Sequence, residues 1–100
     1  MHGIIGKIIA VSGGRDALVR ILLKGSRDLP GCLSYIVARD NFDEDTVWIT
    51  EVWESRAAHE RSLDSSAVQK AIAEGKHLIS AFGHRVETVP VGGQDLPTVE

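Results

Sequence analysis

The 100-residue sequence predicts an α+β fold, an antiparallel sheet with helices on one of its faces. Three observations predict it. Runs rich in β-branched and aromatic residues recur four times along the chain, as strands do. Stretches with apolar residues at helical spacing stand between the first and second runs and between the third and fourth. Gly, Pro, Asp and Ser clusters punctuate every join.

Taken in order, Gly3 to Ser12 is the first strand and stops at the turn pair Gly13-Gly14. Asp16 to Gly25 carries Leu18, Ile21 and Leu22 at i, i+3, i+4, the stripe of a helix laid on a core. Leu29-Pro30-Gly31 breaks the chain, and Cys32 to Arg39 alternates as a second strand. The acidic connector Asp40 to Asp45 is short enough for a hairpin into a third strand, Asp45 to Trp53. Ser55 suits the N-cap of a short helix through Leu63, and Ser65 or Ser66 caps another that the stripe Val68, Ala71, Ile72, Gly75, Ile79 extends to Phe82. Gly75 in that stripe predicts close approach of a neighbouring backbone, and Phe82 is expected to close the core. His84 to Val91 is the fourth strand, and Gly92 to Glu100 is a polar tail, set apart from a single domain over residues 1–91. Strand, helix, strand, strand, helix pair, strand is the ferredoxin-like split βαβ sandwich.

Parity along the strands carries a prediction about assembly. Ile5, Ile9 and Val11 lie on one face of the first strand, and Ile4, Ile8 and Ala10 on the other. In the third strand Val47, Ile49 and Trp53 oppose Trp48 and Val52. Both faces are apolar, yet helices cover only one, which would expose more apolar surface than a monomer usually shows. A homodimer with sheets packed face to face, enclosing a cavity as an α/β barrel, is the expected cover.

Composition narrows the function classes. A net charge of −3 without a Lys/Arg run argues against nucleic acid as a partner. Apolar runs fall short of a membrane span, and no charged leader precedes the first strand, so a soluble chain without a membrane partner is expected. The single Cys32 permits no disulfide framework, fits a small buried hydrophobe, and points to the reducing cytoplasm. His2, His77 and His84 are scattered without ligand spacing, so no metal site is expected, and Gly13-Gly14 lacks the pattern of a phosphate-cradling loop.

The chemistry concentrates between residues 46 and 59. Glu51 sits on the apolar face that carries Val47, Ile49 and Trp53. A carboxylate there must be hydrogen-bonded, paired or neutralised. Glu51 is therefore either a structural acceptor or one half of an acid/base pair in a pocket. His59 is the candidate general base, because an imidazole titrates near ~6.5 and accepts protons at neutral pH. The two tryptophans face opposite ways if the strand is regular. Trp53 and Tyr35 are candidate pocket walls, Trp48 a further candidate substrate contact, and Arg85 a candidate for holding a phenolate or carboxylate. Arg39 fits an outward salt bridge.

The pieces Pro30-Gly31-Cys32-X-X-Tyr35, Glu51-Val-Trp53-Glu-Ser55 and Ala58-His59-X-X-Ser62-Leu63 resemble the antibiotic-biosynthesis monooxygenase domain, including its small quinol-monooxygenase-like members, from about residue 3 to residue 91. The resemblance implies a dimer of ferredoxin-like protomers. It also implies oxygenation of electron-rich aromatics such as anthrones and quinols with dioxygen and without metal or flavin, hence no cofactor. Other relatives degrade haem, handle small signalling molecules or have no known activity. The chain departs from the quinol-oxidising pattern, which has a histidine nine residues after the strand tryptophan, where Ser62 stands here, and often another at the position of Ala67. His59, one helical turn before Ser62, stands in its stead. The haem-degrading pattern of Asn, Trp and axial His meets Lys7, Ser62 and Ile72, so haem degradation is disfavoured.

These readings converge on a cofactor-independent monooxygenase acting on a small aromatic, quinol or anthrone-like compound. The rivals are a non-catalytic dimeric metabolite-binding or stress module, and an isomerase using the same pair on a small carbonyl compound. Fold likeness does not choose among them.

Overall fold

The computed structural model describes residues 1–99. Its strands are β1 (His2–Ala10), β2 (Cys32–Arg39), β3 (Thr46–Trp53) and β4 (Ile79–Thr88). The helices are α1 (Arg15–Gly25), α2 (Arg56–Ser62) and α3 (Ser66–Gly75). The strands form one antiparallel sheet in the order β2-β3-β1-β4, the ferredoxin-like arrangement. β1 and β3 are central, so the residues they direct toward the helices are the most deeply buried.

Helix-facing Ala10, Val47 and Ile49 meet Leu18 of α1 in one core cluster. Leu29, Trp53 and Ala58 form a second beneath α2. Trp53, Leu18 and Val47 are the largest fully buried side chains. The parity expected of the strands holds: Ile4 and Ala10 are buried under the helices, while Ile5 of the same strand is exposed on the other side. On that open face the register aligns Ile36, Thr50, Ile5 and Val86 across four strands, and Ile36 is 55% exposed. The face without helices thus carries a row in which three apolar side chains stand with Thr50.

Caps and turns fix the joins. The Ser55 hydroxyl accepts the Ala58 N–H at 3.0 Å and the Ser65 hydroxyl the Val68 N–H at 3.2 Å, so of the two serines proposed for α3 the first is the cap. Gly31 has φ +80°, and a Cβ there would lie 2.6 Å from the Ala58 Cβ, so the turn before β2 needs glycine twice over. At the far end of the hairpin, Asp40 accepts the backbone N–H groups of Phe42 at 3.0 Å and Asp43 at 2.8 Å, and the Trp48 indole at 2.7 Å.

Three expectations are corrected. The helix expected to reach Phe82 ends at Gly75; Lys76–Leu78 tighten into a 3₁₀ turn and β4 begins at Ile79. Ile79 and Phe82 extend the helical stripe, but Val11 N–H bonds to Leu78 O at 2.8 Å and Ala10 pairs with Ile79, so β1 captures the chain. Phe82 does not close the core: on the edge strand it is 76% exposed. Gly75 approaches side chains rather than a backbone, since a Cβ there would meet Leu18 Cδ1 at 3.4 Å and Ile21 Cγ2 at 3.7 Å. The tight α1–α3 approach is instead at Gly25, where a Cβ would lie 2.5 Å from that of Ala71. After β4, Gly93 bridges to Leu96 and Val99 N–H returns to Val91 O at 2.8 Å, so residues 91–99 fold back on themselves.

Candidate active site

A cavity of about 430 Å³ lies between the sheet and the three helices. Its volume is within the range that binds small molecules. Leu18, Ile21 and Leu22 of α1, Val68, Ala71 and Ile72 of α3, and Ile8 and Ile79 of the sheet give it apolar walls. Helix amphipathicity builds it: the stripes that cover the sheet also line the space they do not fill. All of its lining residues come from this one chain, and it lies on the helix-covered side of the sheet rather than on the open face where a cavity between two sheets was expected.

Polar groups converge at one end. Glu51 and Trp53 project from β3 on the helix side, where period-two alternation puts both. The Trp53 indole N–H donates to Glu51 Oε1 at 3.0 Å. His59 of α2 stands edge-on to Trp53, with ring centroids 5.3 Å apart, and its Nε2 is 4.0 Å from the same Glu51 oxygen. Side-chain exposure of 17% for His59 and 14% for Glu51 leaves both mostly shielded from solvent. The Ser62 hydroxyl donates to His59 O at 2.6 Å, holding the last turn of α2. Tyr35 of β2, paired with Glu51 across the sheet, completes the wall.

Burial and charge act on two of the neighbouring groups. Burial pushes the Tyr35 hydroxyl far above its ordinary range, and the charges of Glu51 and Cys32 add to the shift. Tyr35 is therefore a hydrogen-bonding phenol and not a base. Burial, then the charge of Glu51, also pushes the Cys32 thiol up, so its thiolate is suppressed and the residue packs as a small hydrophobe beside Trp53. Besides Tyr35, the ionisable side chains lining the cavity are Glu51, His59 and Lys76.

Of the residues singled out in the sequence, the fold brings His59, Glu51, Trp53 and Tyr35 together and leaves two apart. Trp48 lies on the opposite face of the sheet, bonded to Asp40, with Lys7 Nζ 5.6 Å from its ring centroid. Odd spacing from Trp53 makes that unavoidable in a regular strand. Arg85 of β4 reaches out to Glu87 at 3.8 Å and does not line the cavity. Arg39 pairs outward with Asp16 at 3.1 Å. Among the described residues no cluster of three His, Cys, Asp or Glu is arranged to hold a metal ion, and no helix is long and apolar enough to cross a membrane.

Three neighbours of this corner were not among the site residues picked out from the sequence. His2 pairs with Trp53 across the β1–β3 ladder, which sets its ring 6.0 Å from that of His59, centroid to centroid. Only the strand register reveals this, because 57 positions separate the two residues in the chain. Ser62 and Leu63 also reach the cavity; their signal was the helical turn from His59.

Comparison with known proteins agrees with this architecture. Among curated proteins no match is found. A crystal structure from Chloroflexus aurantiacus J-10-fl, described as a candidate antibiotic biosynthesis monooxygenase, is 54% identical, with 92% of this chain and 94% of that one covered at a TM-score of 0.90. One from Deinococcus radiodurans, described in the same way, is 25% identical over 93% of this chain and 95% of that one, at a TM-score of 0.76. A Pseudomonas aeruginosa protein, 23% identical over 91% of this chain and 94% of that one at a TM-score of 0.76, shares the fold. The profile of the family described as antibiotic biosynthesis monooxygenase matches residues 1–74, and with the fold and cavity just described it follows that this chain belongs to the antibiotic biosynthesis monooxygenase family.

Proposed function

We propose that the protein is a cofactor-independent monooxygenase that oxidises a small anthrone- or quinol-like aromatic with dioxygen. The observation that carries this reading is the corner of a largely apolar cavity where Glu51, His59, Trp53 and Tyr35 converge. Independence from a cofactor rests on the family resemblance. In the proposed mechanism His59 takes a proton from the bound phenol or from the acidic C–H of an anthrone. The resulting anion passes one electron to dioxygen, the radical pair combines to a peroxide, and loss of water leaves the carbonyl, so that R₂CH₂ + O₂ gives R₂C=O + H₂O. The apolar walls keep water from quenching the anion. Glu51 stabilises the imidazolium that forms 4.0 Å away, while Trp53 and Tyr35 orient the ring.

We further propose that the apolar row on the open sheet face joins two protomers, that residues 1–91 are the folding unit, and that the single free cysteine reflects a reducing cytoplasm. A second reading, a metabolite-binding module, draws on one fact: Glu51 Oε1 already accepts the Trp53 N–H, as a structural acceptor would. Oxygen uptake with panels of anthrones and quinols separates the two. A monooxygenase consumes oxygen and yields product 14 mass units heavier for CH₂ to C=O, and His59→Ala lowers turnover on the order of 10²-fold or more. Thermal shifts without uptake, or full turnover by His59→Ala, would reject this mechanism.

A further inference from the structure

The His2 imidazole is 8% exposed, and its Nε2 is buried without a hydrogen-bond partner. An orphaned polar atom of this kind costs about 1–3 kcal/mol, so its persistence asks for a reason. The reason lies on its two sides. Inward, its ring neighbours that of His59, with centroids 6.0 Å apart and planes tilted by 40°. Outward, Nε2 is 3.6 Å from Glu87 Oε1, just beyond hydrogen-bond length. Glu87 is 40% exposed and flanked by Arg56 at 3.4 Å and Arg85 at 3.8 Å. The order from cavity to solvent is therefore Glu51, His59, His2, Glu87, two carboxylates with two imidazoles between them. An imidazole accepts a proton on one nitrogen while releasing one from the other, which a single-site base cannot do.

We propose that His2 and Glu87 form a proton relay that exchanges the proton held on His59 with bulk solvent. This rests on the assignment of His59 as base. His2 is a positioning and relay residue that never touches the substrate, and Glu87 aligns it, with the two arginines holding the carboxylate in place at the surface.

Isotope exchange tests the relay without any oxygenation step. Anaerobically in D₂O, the protein with anthrone is expected to catalyse C–H + D₂O → C–D + HDO at the acidic methylene, read by proton NMR above the rate in buffer alone. Each event needs His59 to trade its proton for a solvent deuteron. His2→Phe, which keeps an aromatic ring in the gap, and His2→Gln, which keeps a polar contact to Glu87, should each slow exchange on the order of tenfold or more. Glu87→Gln should slow it in the same direction, and added imidazole should restore exchange in the His2 variants. A loss without rescue by imidazole, or exchange at the parental rate in both His2 variants, overturns the relay and leaves the base assignment standing. Absence of catalysed exchange in the parent protein overturns the base, and the relay with it.

Discussion

Replacing Glu51 by alanine and by glutamine separates two things its carboxylate does. It accepts the indole N–H of Trp53 at 3.0 Å, and Trp53 is 1% exposed. Alanine leaves that donor buried and unpaired, which costs about 1–3 kcal/mol. Glutamine retains an amide oxygen at the same reach, so its cost should stay within about 1 kcal/mol. Urea unfolding measures both, and a domain this size moves its melting midpoint by about 4–8 °C per kcal/mol. The charge is read separately. Tyr35 is the sole tyrosine, so tyrosinate absorbance titrates it alone. Both variants should lower its ionisation midpoint, because each removes the negative charge that adds to burial, yet leave it above the ordinary range, because burial is the larger cause. Since the folded state holds this proton more tightly than the unfolded chain, the stability it contributes is complete below pH ~10 and is lost as pH rises beyond that. Equal destabilisation by alanine and glutamine would refute the role given to the indole bond. An unchanged tyrosine midpoint in both would refute the charge coupling.

Other expectations follow from single contacts. Asp40 is held well below the usual carboxylate range, to about 2, first by the Asp43 backbone N–H and then by the Trp48 indole. Its contribution is present above pH ~4 and lost as pH falls toward 2, so tryptophan emission should change in that window and the change should vanish in Asp40→Asn. Gly25→Ala drives a methyl into Ala71 and should destabilise by about 1–3 kcal/mol, whereas Gly75→Ala has room beside Leu18 and should be neutral or stabilising by up to about 1 kcal/mol, both by urea unfolding. Ile36→Lys, in the exposed apolar row, should shift a dimer toward monomer by light scattering at micromolar concentration; an unchanged mass would move the interface elsewhere.

Most of the fold was legible because local pattern and tertiary fate agree. Alternation in β1 and β3 identified the buried faces, and it separated Trp48 from Trp53 before either had a partner. Glu51, Trp53 and His59 were readable as a unit since nine positions contain all three. Two kinds of information were missing. The end of α3 was hidden because Ile79 and Phe82 satisfy a helical period, and only the competition from β1 for that backbone decides the outcome. His2 was hidden because strand pairing, a long-range property, places it beside His59. Arg85 lies away from the cavity for a third reason: β4 is an edge strand, and this long side chain meets the solvent-facing carboxylate of Glu87.

The carboxylate and the imidazole of this corner are mounted on different parts. Glu51 is anchored in a central strand with neighbours on both sides, whereas His59 rides on a seven-residue helix hung between two serine-capped turns. A slip of that helix by one residue would translate the imidazole by about 1.5 Å while the floor of the cavity stayed still. The placing of the imidazole can therefore be retuned by edits to one short segment, leaving the shape of the chamber to the remainder of the chain.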